Sequence, residues 1–179
     1  IAGAILTAIF VFGIGSMGSS GATPLKLVLA GAATSAILSS LVVAVMIPRT
    51  NVMDQFRFWQ VGSVGGGNWD SISLFIPFLL IGFLIAIFTA PALNALALGE
   101  DVATGLGVRT GTIRFAAASG AVLLCGAATA LAGPIGFIGL LATHLIRLVI
   151  GPDLRYVIPL SALSGAIILT ISDVFGRLL

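Results

Sequence analysis

The chain has 179 residues, of which 59% are hydrophobic and only 8% charged, and its mean hydropathy is +1.22; a soluble domain carries about 25% charged residues. This balance excludes a water-soluble globule and predicts a protein embedded in a membrane. The net charge of +2 comes from few side chains, and without a clustered basic face it excludes a nucleic-acid partner.

The first residue, Ile1, already lies inside an apolar run, with no initiator methionine, charged leader or small-residue cleavage site. The expectation is a piece of a longer polypeptide. The single Cys125, inside "AVLLCGAATALAG", offers neither a disulfide framework nor metal-ligand spacing, so it reads as a small packing residue.

A spanning helix needs about 20 apolar residues, roughly 17 to 25 with tilt, and in lipid the backbone must satisfy its own hydrogen bonds. In chain order the candidates are residues 1–17, 25–47, 72–93, 112–132, 135–150 and 157–176, the fifth being short. The alternating ten-residue runs of a membrane β-barrel are missing. Gly31, Ser35 and Ser39 in the second run, and Ser161 and Gly165 in the last, recur every four residues. Small residues at that interval let helix backbones approach closely in lipid, which predicts both helices inside a bundle.

The connections are marked by Pro, Gly and charge. Residues 18–24, "GSSGATP", form a polar turn. Residues 48–71 hold Trp59 and Trp69, and tryptophan favours the membrane interface, so this segment reads as a short surface helix followed by a glycine-rich turn. Its "GSVGGG" resembles a phosphate loop only superficially, lacking the Lys-Ser/Thr ending and preceding strand of a nucleotide site. Residues 94–111, "NALALGEDVATGLGVRTG", carry Glu100, Asp101 and Arg109; "AGPIG" joins the fourth and fifth runs, and "GPDLRY", residues 151–156, the last two. Counting spans puts Lys26, Arg109, Arg114, Arg147 and Arg155 on one side, and Arg49, Arg57 and Arg177 on the other. The positive-inside rule then places the 94–111 connection in the cytoplasm.

His144 and Arg147, three residues apart on the fifth run, are neighbours on one helix face. Arg147 is close enough to Gly151 and Pro152 to snorkel to the cytoplasmic interface. For His144 two readings stand. One is a neutral histidine hydrogen-bonded to a neighbouring helix or turn; the other is a role in cytoplasmic coupling or gating, since ionisable residues within membranes are functional candidates.

The closing stretch "GPIGFIGLLATHLIRLVIGPDLRYVIPLSALSGAIILTISDVFGRLL" resembles that of FecCD-type permeases, the membrane subunits of ATP-binding-cassette importers for iron-siderophores, haem and cobalamin. The likeness extends through "LNALALGEDVATGLGV", "FWQVGSVGGGNWDS" and "TPLKLVLAGAATSAIL" in the family's order. It implies an all-α, polytopic transmembrane bundle of the importer-permease type. The chain would correspond to helices four to nine of ten: one transmembrane permease domain over 1–179, a cytoplasmic coupling segment at 94–111 and an outer surface segment at 48–71. The family usually has Pro-His where this chain has Thr143 and His144, so a proline kink is not expected there.

Further expectations follow from the resemblance. The coupling segment would fold into two short helices that dock on an ATPase subunit, using Leu98, Gly99, Glu100, Asp101, Ala103, Leu106, Gly107 and Val108, with Leu96, Leu98 and Leu106 as apolar knobs and the acidic pair meeting a basic rim. Thr23, Pro24 and Lys26 would form the cytoplasmic gate, the alternative being an ordinary helix connection. Arg177 would meet an acidic residue of the substrate-binding protein, unless it pairs within its helix with Asp173, four residues earlier in the favourable order. Gly62, Gly65, Gly66 and Gly67 would lie on the surface helix and turn beside the mouth of the pathway.

The implied partners are ATPase subunits, a substrate-binding protein, a second permease copy as homodimer or pseudo-dimer, and membrane lipid. No cofactor would be bound by this chain, ATP and magnesium residing on the ATPase, and the chain would be no enzyme. The implied location is the inner (cytoplasmic) membrane of a bacterium or archaeon, crossed several times. Rival readings are an ion-coupled secondary transporter of a small solute, which needs carboxylates at mid-membrane, and an intramembrane enzyme using His144.

Overall fold

A computed structural model describes residues 2–17, 24–46, 56, 59–60, 62 and 69–178, without the side chains of Pro24 and Arg177. It divides into two compact units, Ile1–Val61 and Gly62–Leu179.

The first unit contains α1 (Ala2–Gly15) and α2 (Pro24–Met46). They run antiparallel: a Cβ added at Gly15 would lie 2.6 Å from Leu27 Cδ2, and one at Gly31 would lie 3.9 Å from Val11 Cγ1. Thr34, buried, donates its hydroxyl to Ala30 O at 2.7 Å, so its polar atom is satisfied inside the helix. Of the expected small-residue row, only Gly31 faces α1; Ser35 and Ser39 are exposed within this unit. Phe56 and Trp59 stack with ring centroids 5.8 Å apart, and residues 56, 59 and 60 have helical backbone.

The second unit contains α3 (Trp69–Ala97), α4 (Glu100–Gly105), α5 (Thr110–Ala132), α6 (Ile138–Ile150) and α7 (Leu154–Leu178). Helices α3 and α5 cross antiparallel at Gly82 and Gly120, where an added Cβ would come within 3.1 Å and 3.3 Å of the other glycine's carbonyl oxygen. Helices α6 and α7 meet where Gly165 faces Ala142, and α7 also lies on α3. Among the described residues the buried apolar side chains are Ala90, Ala103, Ala127, Ala142 and Val157, while Phe88, Phe115, Leu148 and Val149 are widely exposed. Such an inverted distribution fits a lipid solvent: association comes from close backbone approach at small residues, and large apolar groups face outward at no cost.

Four helices, α2, α3, α5 and α7, are long and apolar enough to cross a membrane, and α1 and α6 are shorter. The sequence predicts six spans; α6, with 13 residues, rises only about 20 Å against a hydrocarbon core of about 30 Å. It starts at Ile138 rather than 135 because Pro134 and the left-handed Phe137, φ 64°, precede it. Helix α3 exceeds the expected 72–93 at both ends. Asp70 in its first turn complements the helix dipole, and "LNALA" continues the helix until Gly99, whose φ of 121° is open mainly to glycine. Trp69 is therefore the first residue of a helix rather than part of a surface loop.

Candidate functional site

The 94–111 segment begins as the last turn of α3. Leu98 and Gly99 then close the helix through backbone bonds to Ala95 O and Leu96 O, each 3.1 Å. Gly99 leads into α4, where Ala103 N bonds Gly99 O at 3.0 Å. The six-residue helix carries Glu100 and Asp101 in its first turn, and Thr104 Oγ1 donates back to Glu100 O and Asp101 O at 3.0 and 2.9 Å. Gly107, at φ 80°, turns the chain away, and Val108 N returns to Ala103 O at 3.0 Å. The expected pair of short helices is thus a single one, because the first half of the segment is absorbed into α3.

Within this element the side chains divide by exposure. Ala103 is fully buried where α4 packs on α3 and α5. Leu98 and Leu106 are 71% and 67% exposed and Val102 is 47% exposed, whereas Leu96 is half-buried. Val102 is a knob the sequence reading missed; its spacing of four from Leu98 and from Leu106 is the signal that could have found it. Glu100 has a partner within the chain. Its Oε2 accepts from Arg114 Nη2 of α5 at 3.0 Å, both side chains being more than half exposed, so the pair fixes direction more than it stabilises, contributing about 0–1 kcal/mol.

The segment is also tied to the turn before α7. Asn94 donates its amide to Asp153 Oδ1 and accepts from Leu154 N at 3.0 Å. Asp153 Oδ1 also accepts from Arg155 N at 3.0 Å, and Asp153 O from Val157 N at 3.0 Å, so Asp153 is the N-cap of α7. The Arg155 backbone bond, then the Asn94 bond, and last the nearby Arg155 charge hold the Asp153 carboxyl below its ordinary range, against an opposing effect of burial. These bonds bring 94–111 and 151–156 to one end of the unit, as counting spans predicts. Gly62, φ 74°, lies against Ala132 O and Ile135, beside the "AGPIG" turn assigned to the opposite end.

His144 and Arg147 are both exposed on α6. Among the described residues His144 makes no hydrogen bond. Arg147 stands in the last turn of α6, where a cation complements the dipole. Helix α6 is unbroken at Thr143, whose hydroxyl donates to Gly139 O at 2.7 Å. Thr23, the Pro24 side chain, Gly65 to Gly67 and the Arg177 side chain lie outside the described residues, while Lys26 is in the first turn of α2.

Residues 1–179 match the model of the FecCD transport family. The chain is 43% identical over 175 residues to the probable siderophore transport system permease protein YfiZ of Bacillus subtilis, covering 98% of this chain and 53% of that one. It is 36% identical over 178 residues to the ferric enterobactin transport system permease protein FepD of Escherichia coli, covering 99% and 53%. A solved inward-facing conformation of a metal-chelate type ABC transporter superposes with a TM-score of 0.83 at 27% identity, over 98% of this chain and 55% of that one. The chain thus spans about half the length of these relatives.

Proposed function

The chain belongs to the FecCD transport family, and from that premise we propose that it is part of the permease subunit of an ATP-driven importer. Its cargo would be an iron-siderophore or similar metal chelate delivered by a substrate-binding protein. The fold is a polytopic helical membrane bundle of the inner (cytoplasmic) membrane. The observation that carries the proposal is the element around α4: Leu98, Val102 and Leu106 are exposed outside the long apolar spans while Ala103 anchors the helix beneath them. Apolar groups left open away from lipid mark a protein contact, and the partner proposed is the ATPase.

In this mechanism the chain makes and breaks no covalent bond. Nucleotide and magnesium reside on two ATPase subunits, whose closure displaces α4 and shifts the population between inward- and outward-open states. A second permease copy completes the path as homodimer or pseudo-dimer. Thr23, Pro24 and Lys26 line its cytoplasmic gate, and His144 and Arg147 act in coupling or gating. Large exposed side chains such as Phe88 and Val149 meet lipid or the second copy. Among the described residues no carboxylate is buried, which favours this reading over ion-coupled transport.

The test is uptake of labelled ferric chelates, haem and cobalamin by cells with and without the full-length protein, together with a Gly99→Ala/Glu100→Ala variant in the assembled complex. Replacing both strains the φ of 121° and removes the Arg114 partner. Uptake per ATP hydrolysed is expected to fall by about 5- to 150-fold, the span of typical coupling energies. Unchanged ATPase stimulation and uptake would refute the role of this element.

A further inference from the structure

The Asn94–Asp153 contact joins residues 59 apart in the chain, and its chemistry is unusually complete. Asn94 uses both ends of its amide, donating to Asp153 and accepting from Leu154 N. Asp153 simultaneously caps α7 through Arg155 N. Each group holds the other, so neither rotates without breaking several bonds. On the Asn94 side, α3 continues without interruption to Ala97, followed by Leu98, Gly99 and α4. On the other side the clasp grips the first turn of α7, a helix of 25 residues that ends beyond Arg177.

The coupling element is therefore braced at two points. Glu100 binds Arg114 of α5, and earlier in the chain, at Asn94, the end of α3 is bound to α7. Between the braces, Gly99 has non-helical backbone, the place where a displacement of α4 can be absorbed or passed on. With only the Glu100 brace, a push on α4 would reach α5 while α7 followed through apolar contact alone. The clasp adds directional bonds at the root of α7.

Resting on the functional reading above, we propose that Asn94 and Asp153 are positioning residues that make the inner end of α3 and the first turn of α7 move as one body. A displacement of the α4 element then reaches the helix whose far end carries Arg177.

The experiment uses the full-length permease assembled with its ATPase and binding protein in proteoliposomes, measuring ATP hydrolysis and chelate uptake together. Asn94→Asp sets two carboxylates against each other and also removes the amide donor. It is expected to lower uptake per ATP by at least about fivefold, the low end of measured coupling effects, while ATP hydrolysis continues. The double variant Asn94→Asp/Asp153→Asn exchanges donor and acceptor and leaves an acceptor for Leu154 N; because one Asp153 oxygen serves both Asn94 and Arg155 N, the exchange gives up the Arg155 bond, and it is expected to restore uptake per ATP to at least about twofold above the single variant.

A role in folding alone would lower the amount of assembled complex without changing uptake per ATP in what assembles, and that result overturns the proposal. So does an unchanged ratio in the single variant, or failure of the exchange to restore it. If the wild-type protein neither associates with an ATPase nor takes up a chelate, it is the functional reading that fails.

Discussion

Gly82 and Gly120 show how much a single hydrogen atom in place of a side chain decides here. An added Cβ at Gly120 would lie 2.9 Å from Ile85 Cγ2, and one at Gly82 would lie 2.9 Å from Leu124 Cγ. Both neighbours are branch points or close to them, held within packed helices, so neither yields as the tip of a flexible chain would. Gly120→Val should force α3 and α5 apart and cost about 1–3 kcal/mol, the usual range for overpacking. The measurement is the thermal midpoint of the full-length protein in detergent. Gly111→Ala, where an added Cβ meets nothing within 4 Å, should match or exceed wild type by up to ~1 kcal/mol; equal loss from both variants would show that the crossing does not govern stability.

At the scale of the element, the start of α7 is set by Asp153, and its charge carries a pH consequence. Bonds from Arg155 N and Asn94 lower the folded-state pKa of Asp153. A lowered carboxylate contributes stability that is complete above the unfolded value and is lost as pH falls through the folded one. The cap should therefore persist throughout the neutral range. Uptake per ATP in proteoliposomes should show no titration removable by Asp153→Asn between about pH 8 and about pH 5. A transition in that window, absent in the variant, would contradict the geometry.

The same elements show what could be read from sequence. Apolar length located α2, α3, α5 and α7, since hydrocarbon thickness imposes it. Counting spans put 94–111 and 151–156 on one side, and the Asn94 bonds agree. The α3–α5 crossing escaped because it uses one glycine from each helix, Gly82 and Gly120, whereas a row of small residues four apart was the visible pattern. Asn94 escaped for a related reason: it opens a stretch read as loop, and its partner lies 59 residues away. The Glu100–Arg114 pair spans a turn whose shape depends on Gly99 and Gly107, which charge counting does not resolve.

For the whole molecule, the functional reading requires the two membrane faces to communicate, and α7 is the described helix that runs from the Asn94 clasp to Arg177. Sequence offers two roles for that arginine: docking an acidic residue of the binding protein, or pairing with Asp173 one turn earlier. They differ in what a charge change disturbs. A docking charge acts on encounter rate and orientation, and its effect weakens as salt rises. An intrahelical pair contributes about 0.2–0.5 kcal/mol to the helix and leaves association unchanged. Arg177→Glu in the full-length complex should therefore slow association of the binding protein by about tenfold or more at low salt, within the steering range of charged interfaces. The difference from wild type should shrink as salt is raised. Asp173→Asn, which removes the alternative partner, should leave association within about twofold of wild type. If the two variants change association equally, or neither does, Arg177 belongs to its helix and the outer contact is made elsewhere.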